Sequence, residues 1–279
     1  MLKRHSPLLL AVVCLFLFVV ATFWNARQPN SVAQLSAGDR VVISAPVLVA
    51  LFAGDRFLAA NLETMRLAAT GHDNDQANAN YLIRAQKVVA ELNACHEDNY
   101  YLANGLLAWG GAVAEGNEIL QRAMNCRFWD GVPPFFYGVN RVFFDRDKDE
   151  AIKAFELSAD RWPDNAATLR RLAITLRAEQ FADERLAVNY LVYQRDSTGD
   201  PKLREMLSKR VIRLQGLIEL REAQRRYEAA HGVLTDLKQL VGAGELAALP
   251  QDPLRLGYEL RDGRIEMKKL KIAGMENQP

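Results

Sequence analysis

A chain of 279 residues, 49% hydrophobic and 25% charged, has globular proportions, which exclude a disordered tail protein or a low-complexity polymer. Thirty-five basic against 34 acidic side chains leave a formal charge of +1, so no strong field gathers nucleic acid, and three cysteines are too few to frame a disulfide scaffold. The length allows one large domain or two modest ones.

Lys3, Arg4 and His5 precede Leu8 to Trp24, a run without a charge. Its 17 residues make roughly 25 Å of helix, close to the minimum for spanning a bilayer core. Phe23 and Trp24 close the run as aromatic residues do at a membrane–water interface. The basic flank predicts a cytoplasmic amino terminus with everything after Asn25 exported, so the chain reads as a single-pass protein of a bacterial inner membrane with a periplasmic C-terminal part. A cleaved signal peptide needs small residues at its exit, and Ala21-Thr22-Phe23-Trp24-Asn25-Ala26 is bulky there. A lipoprotein would need a small residue before Cys14, where Val13 stands. Residues 1–24 are therefore expected to be an uncleaved anchor that meets membrane lipid through one helix. The next apolar stretch, Val41 to Ala53, is short and contains Pro46, which suits the first turn of a buried helix running on through Phe52 and Phe57.

Residues 25–46 are expected to form a stalk and residues 47–200 a helical repeat region. Breaks fall at Gly71-His72-Asp73-Asn74, His96-Glu97-Asp98-Asn99, Gly110-Gly111, Gly131-Val132-Pro133-Pro134, Trp162-Pro163-Asp164-Asn165 and Asp196 to Pro201. Paired helices broken at this rate prompt a search for repeats. Asp149-Glu150-Ala151-Ile152-Lys153-Ala154-Phe155 continues to Trp162-Pro163-Asp164-Asn165. Small Ala151 lets two helices approach, Phe155 fills the gap one turn later, and Pro163 forbids continuation. This segment resembles the second helix and terminator of a tetratricopeptide repeat. Gly138 supplies the small residue of the preceding helix; Gly105 lies 33 residues before it and Ala173 lies 35 after it. Phe57 to Leu67 and Tyr81 to Leu92 fit an earlier, degenerate pair. The fold class implied is mainly α, a tetratricopeptide-like helical-hairpin solenoid.

Residues 201–232 are expected to be one long capping helix. Leu203, Leu207, Val211, Leu214, Leu217 and Leu220 recur at three and four, and Gly232 can take the left-handed closing conformation. Residues 233–279 read as a short helix, Thr235 to Val241, and a β-hairpin turned by Asp262-Gly263. The stretch from Tyr227 through Leu249-Pro250-Gln251-Asp252-Pro253 to Gly257-Tyr258 resembles the region that follows the long helix in type II secretion pseudopilins. Leu254 replaces the aromatic residue usual after the Asp-Pro, and no calcium-ligating cluster follows. The resemblance implies a helix-plus-hairpin packing unit and no filament role.

Cys95 and Cys126 are 31 residues apart, near the ends of successive second helices. Helix axes about 8–10 Å apart argue against a bridge, which wants Cα atoms within roughly 7 Å, while their offset in the repeat argues for one. The histidines lack the spacing of metal ligands on one helical face, and the Asp145 to Glu150 run lacks the glycine and terminal glutamate of a calcium loop. No nucleophile elbow and no phosphate loop occurs, so neither a catalytic residue nor a metal or cofactor is expected. In tetratricopeptide arrays the first helices line a concave face that grips a peptide or helix. Transferring that pattern through Gly105, Gly138 and Ala173 places Leu102, Trp109, Phe135, Arg170 and Arg177 on it as partner-binding residues. The expectation is a periplasmic scaffold or adaptor, not an enzyme, holding a protein partner in an envelope complex. The alternatives are an accessory subunit of a membrane enzyme complex or an enzyme whose catalytic residues are unrecognised.

Overall fold

In the computed structural model, which describes residues 13, 15–20, 41–70 and 79–269, the chain is mainly helical with one small antiparallel sheet. Val13 and residues 15–20 are helical and exposed; the rest of the expected Leu8–Trp24 span, the stalk up to residue 40 and the predicted break at 71–74 lie outside the described residues. Among the described residues, no single helix is long and apolar enough to cross a membrane.

Pro46 opens α1 (Ala45–Leu51), as its fixed φ predicts. The helix does not run on to Phe57. Ala53 and Gly54 take positive φ, 52° and 92°, and turn the chain by 111° into α2 (Arg56–Thr70). Asp55 starts this second helix, its Oδ1 accepting from the Phe57 and Leu58 amides. Then follow α3 (Ala79–Leu92), α4 (Glu97–Leu102), α5 (Val113–Cys126), α6 (Val132–Asn140), α7 (Lys148–Arg161), α8 (Ala166–Ala178), α9 (Glu184–Ser197) and α10 (Pro201–His231). α4 and α6 each end in a wider π turn, at Ala103–Ala108 and Arg141–Asp145. The Asp145 to Glu150 run is a helix start: Asp147 caps α7 by accepting from the Glu150 amide at 3.0 Å.

These helices recur. α3, α5, α7 and α9 begin at residues 79, 113, 148 and 184, while α4, α6, α8 and α10 begin at 97, 132, 166 and 201. Both series advance by 34 to 36 residues. Each helix packs on its neighbour in sequence, and α3 on α5 and α8 on α10 add contacts one hairpin onward. Several long-range hydrogen bonds carry nearly the same period. Arg56 to the Leu92 carbonyl, His96 to Asn61, Arg161 to the Met124 carbonyl, Gln180 to Asp149 and Arg185 to Glu222 span 31 to 37 residues.

Phe155 and Gly138 make a close helix crossing. Phe155 is 3% exposed, Ala151 is fully buried, and a Cβ at Gly138 would stand 2.8 Å from the Phe155 ring. Gly105 does not play the equivalent part. The π turn rotates it to solvent, with nothing within 4 Å of its missing Cβ, and Gly116 of α5 approaches Ala103 and Ala108 instead.

α10 runs unbroken to His231, and Gly232 at φ 88° ends it. Its part from Arg213 onward carries the C-terminal unit: α11 (Lys238–Gly242), which starts later than expected, after Asp236 has accepted from the Lys238 amide, and the hairpin of β1 (Tyr258–Arg261) and β2 (Arg264–Met267). Asp262 and Gly263 both take positive φ at the turn, in register Tyr258↔Met267. A buried ionic knot docks the unit. Asp252 lies 3.0 Å from Arg213 with both side chains under 7% exposed, and its oxygens accept from the Leu254, Leu256 and Gly257 amides. Tyr258 donates to the Arg213 carbonyl, and Arg213 to that of Lys268.

Candidate partner-binding surfaces

α4 and α6, with the π turns that end them, lie side by side, and equivalent residues meet. Tyr101 of α4 packs edge-on against Phe136 of α6 at 5.4 Å. One turn further, the buried Asn140 amide donates to Asn104 at 3.1 Å and to Asn117 of α5 at 2.9 Å, joining three helices through polar groups. At the ends of the π turns Trp109 meets Phe144 at 5.3 Å and Phe143 at 5.5 Å. Trp109 and Phe143 keep more than a third of their surface exposed, so this aromatic cluster faces solvent.

The predicted surface residues divide into two groups. Leu102 is half-buried and lines a shallow groove of about 560 Å³ with Asn61, Thr64, Met65 and Tyr101. Trp109 stands in the aromatic cluster. Phe135 is half-buried, its ring 6.1 Å from that of Phe155, so it serves the core as much as the surface. Arg170 and Arg177 are exposed on α8 and turn towards α7, with Arg170 3.2 Å from Asp160 and Arg177 4.0 Å from Asp149. Such exposed pairs contribute about 0–1 kcal/mol, so an acidic ligand can displace them.

Cys95 and Cys126 are joined, their Cα atoms 5.3 Å apart. The bridge lies where the α3–α4 turn meets the end of α5, and a charged knot surrounds it. Arg127 donates to the Cys95 carbonyl at 3.2 Å, to Glu97 at 3.0 Å and to Asp130 at 2.8 Å. Tyr100 donates to Asp130 at 2.9 Å. Burial pushes the Tyr100 hydroxyl up, and its bond to Asp130 adds to the rise. Burial alone would raise Asp130 too, but the Val132 amide, Arg127 and Tyr100 hold it below the usual carboxylate range. Phe128 and Trp129 lie exposed beside this knot, 5.0 Å apart.

The two described histidines show no ligand geometry. His96 bonds to Asn61 at 2.9 Å, and burial lowers its pKa; His231 stacks on Tyr227 at 4.8 Å. His5 and His72 lie outside the described residues, among which no group of His, Cys, Asp and Glu is arranged to hold a metal.

Sequence reasoning missed one cavity. Between α8, α9 and α10, with Met267 of β2 over it, lies a space of about 270 Å³ lined by Thr175, Phe181, Leu191, Arg210 and Leu214. Arg213 and Arg221 also border it, but Asp252 and Glu184 occupy them. Arg210 has no hydrogen bond or ion pair among the described residues, and the buried Nε of Arg171 has none either. Burial lowers the pKa of both, and Arg171 and Arg213 lower that of Arg210 further. Glu179 and Glu184 line the same space, and Glu179 and Asp252 set negative charge near Arg210, so the cavity joins an apolar wall to a rim of mixed charge. The signal available was the run of basic residues on two helices one repeat apart, which periodicity alone assigns to solvent.

No known protein family, no curated protein and no solved structure matches the chain.

Proposed function

We propose that this chain is a membrane-tethered periplasmic scaffold. It is a tetratricopeptide-like solenoid that holds a protein partner in a cell-envelope complex such as secretion, pilus or polysaccharide machinery. The observation that carries the reading is the regular advance of both helix series by 34 to 36 residues, with equivalent first-helix residues in contact. That period is the one tetratricopeptide units have, and stacked units of this kind present their first helices as a continuous binding wall. The Cys95–Cys126 bridge supports an oxidising compartment. The chemistry is binding. Trp109, Phe143 and Phe144 supply aromatic contact area, and Arg170 and Arg177 supply charge for an acidic segment.

The test is affinity capture of the full chain from detergent extract, with mass spectrometry of what co-purifies, for wild type and for Arg170→Glu with Arg177→Glu. Reversing both charges changes the face by four units and rejects an acidic ligand. The expected outcome is loss of the specific partner with a melting curve shifted by about 1 kcal/mol or less, because both arginines are exposed. An unchanged set of partners refutes the assignment of this face.

A further inference from the structure

Between Val41 and Met65 the surface is built the wrong way round for water. Residues 41–54 carry no charge, and Val41, Val47 and Leu51 stand 74%, 50% and 65% exposed. In α2 the polarity is inverted. Glu63 and Thr64 are buried at 5% and 3%, while Phe57, Leu58, Leu62 and Met65 face outward at 41% to 67%. The charges of α2 lie at the border of that face and are engaged: Glu63 pairs with Arg66, which also donates to the Val41 carbonyl, and Arg56 donates to the Leu92 carbonyl and lies over the Phe57 ring. Apart from residues 13 and 15–20, exposed large apolar side chains elsewhere in the described residues stand singly or in small clusters. Phe57, Leu58, Leu62 and Met65 fall on one side of α2, an apolar face that soluble surfaces rarely carry without a cover.

We infer that this face rests on the lipid surface, with α1 and α2 lying in the membrane interface. The inference builds on the anchor in the proposed function. The stalk of residues 25–40 reaches at most about 55 Å when fully extended, so the face is held close to the bilayer from which the chain emerges. The bent pair α1–α2 is apolar enough for a span, but its members have 7 and 15 residues and meet at 111°, whereas crossing needs about 20 residues in one helix. Two short helices at that angle lie along an interface, where a helix sinks its apolar side about 5–10 Å. The side chains are also those of a lipid contact. They are aliphatic residues, a phenylalanine and a methionine, the kind an interfacial helix sinks among acyl chains. The solenoid would then lie against the membrane at its first hairpin.

The test uses the full chain in phosphatidylcholine vesicles, with Cys14→Ser leaving the bridged pair as the remaining cysteines. A nitroxide is placed at Met65→Cys, with Tyr193→Cys, 68% exposed on α9, as the aqueous reference. The expected result at 65 is loss of collisions with a water-soluble nickel chelate and a gain of collisions with oxygen, relative to 193. Adding Phe57→Asp and Leu62→Asp, both at exposed positions, should return the label at 65 to the reference value. Equal nickel accessibility at 65 and 193 overturns the inference. So does a label at 65 shielded from both reagents, which means that a protein surface or a second copy covers the face. A label at Val13→Cys reports the anchor separately. Lipid-like at 13 with water-like at 65 refutes the docking and leaves the anchor standing, whereas water-like at both refutes both.

Discussion

Two glycines 33 residues apart should respond in opposite directions to the same substitution. A methyl group at Gly138 would stand 2.8 Å and 3.0 Å from two atoms of the Phe155 ring and 3.2 Å from the Ala154 Cβ, where ordinary contact begins at 3.4 Å. Something must move by about 0.6 Å, and the ring has little room, because Phe155 is 3% exposed in a cluster with Ala151, Ile152 and Leu169. Overpacking of this kind costs about 1–3 kcal/mol, against about 1 kcal/mol gained by replacing glycine with alanine inside a helix. Gly138→Ala should therefore lose about 1 kcal/mol. At Gly105 nothing lies within 4 Å, so Gly105→Ala keeps only the favourable part and should gain up to about 1 kcal/mol. The contrast of about 2 kcal/mol corresponds to about 4–8 °C in Tm for a domain of this size. Thermal melts of the full chain in mild detergent, followed by far-ultraviolet dichroism, measure it. Combining Gly138→Ala with Phe155→Leu should recover part of the loss, because the two positions touch. If Gly138→Ala raises Tm as much as Gly105→Ala does, the close crossing of α6 and α7 is wrong, and the repeat packing built on it fails.

Reducing the Cys95–Cys126 bridge opens a loop closed over 31 residues, which should cost about 4 kcal/mol by the chain-entropy relation, read as a lower urea midpoint in the presence of reductant. A midpoint that reductant leaves in place contradicts it. Burial works against the Asp252 carboxylate, but three backbone amides and Arg213 more than offset this and depress its folded pKa. Its stabilisation is thus complete above the ordinary carboxylate value and is lost as pH falls through the lower folded value. Asp252→Asn should leave Arg213 buried and uncompensated, costing about 3–5 kcal/mol near neutral pH, and should flatten the acid limb of the stability–pH profile. An acid limb as steep as that of wild type assigns the pH dependence to other carboxylates.

Local chemistry made much of this architecture legible in advance. Pro133-Pro134 opens α6, Trp162-Pro163 separates α7 from α8, Pro201 opens α10, Gly232 closes it, and Asp262-Gly263 turns the hairpin; each acts through φ, a missing donor or a cap that needs no tertiary partner. What escaped depends on neighbours distant in sequence. The π turns after α4 and α6 carry no local mark in the sequence, and the first of them holds Gly105 off the packing face although it is spaced one repeat from Gly138. The turn at Ala53–Gly54 was hidden because an apolar run reads alike whether it continues or folds back. In α2 the pattern offers apolar residues on both sides, so it could not say that Glu63 and Thr64 point inward. Of the expected surface residues, Trp109 stands in an exposed cluster with Phe143 and Phe144, while Phe135 is drawn to Phe155 because its place beside Gly138 puts it within reach of that ring.

The position of the disulfide has a mechanical consequence. In an array where hairpins lean mainly on their neighbours, tension entering from the N-terminal side detaches helices in order, α1 first, then α2 and α3. That unravelling reaches Cys95 at the α3–α4 turn, where the covalent link to Cys126 carries the force past α4 and α5 without extending them. The segment from α1 to α3 can therefore yield first when the chain is pulled from its N-terminal side, while the loop of residues 95–126, which holds Trp109, keeps its shape under load.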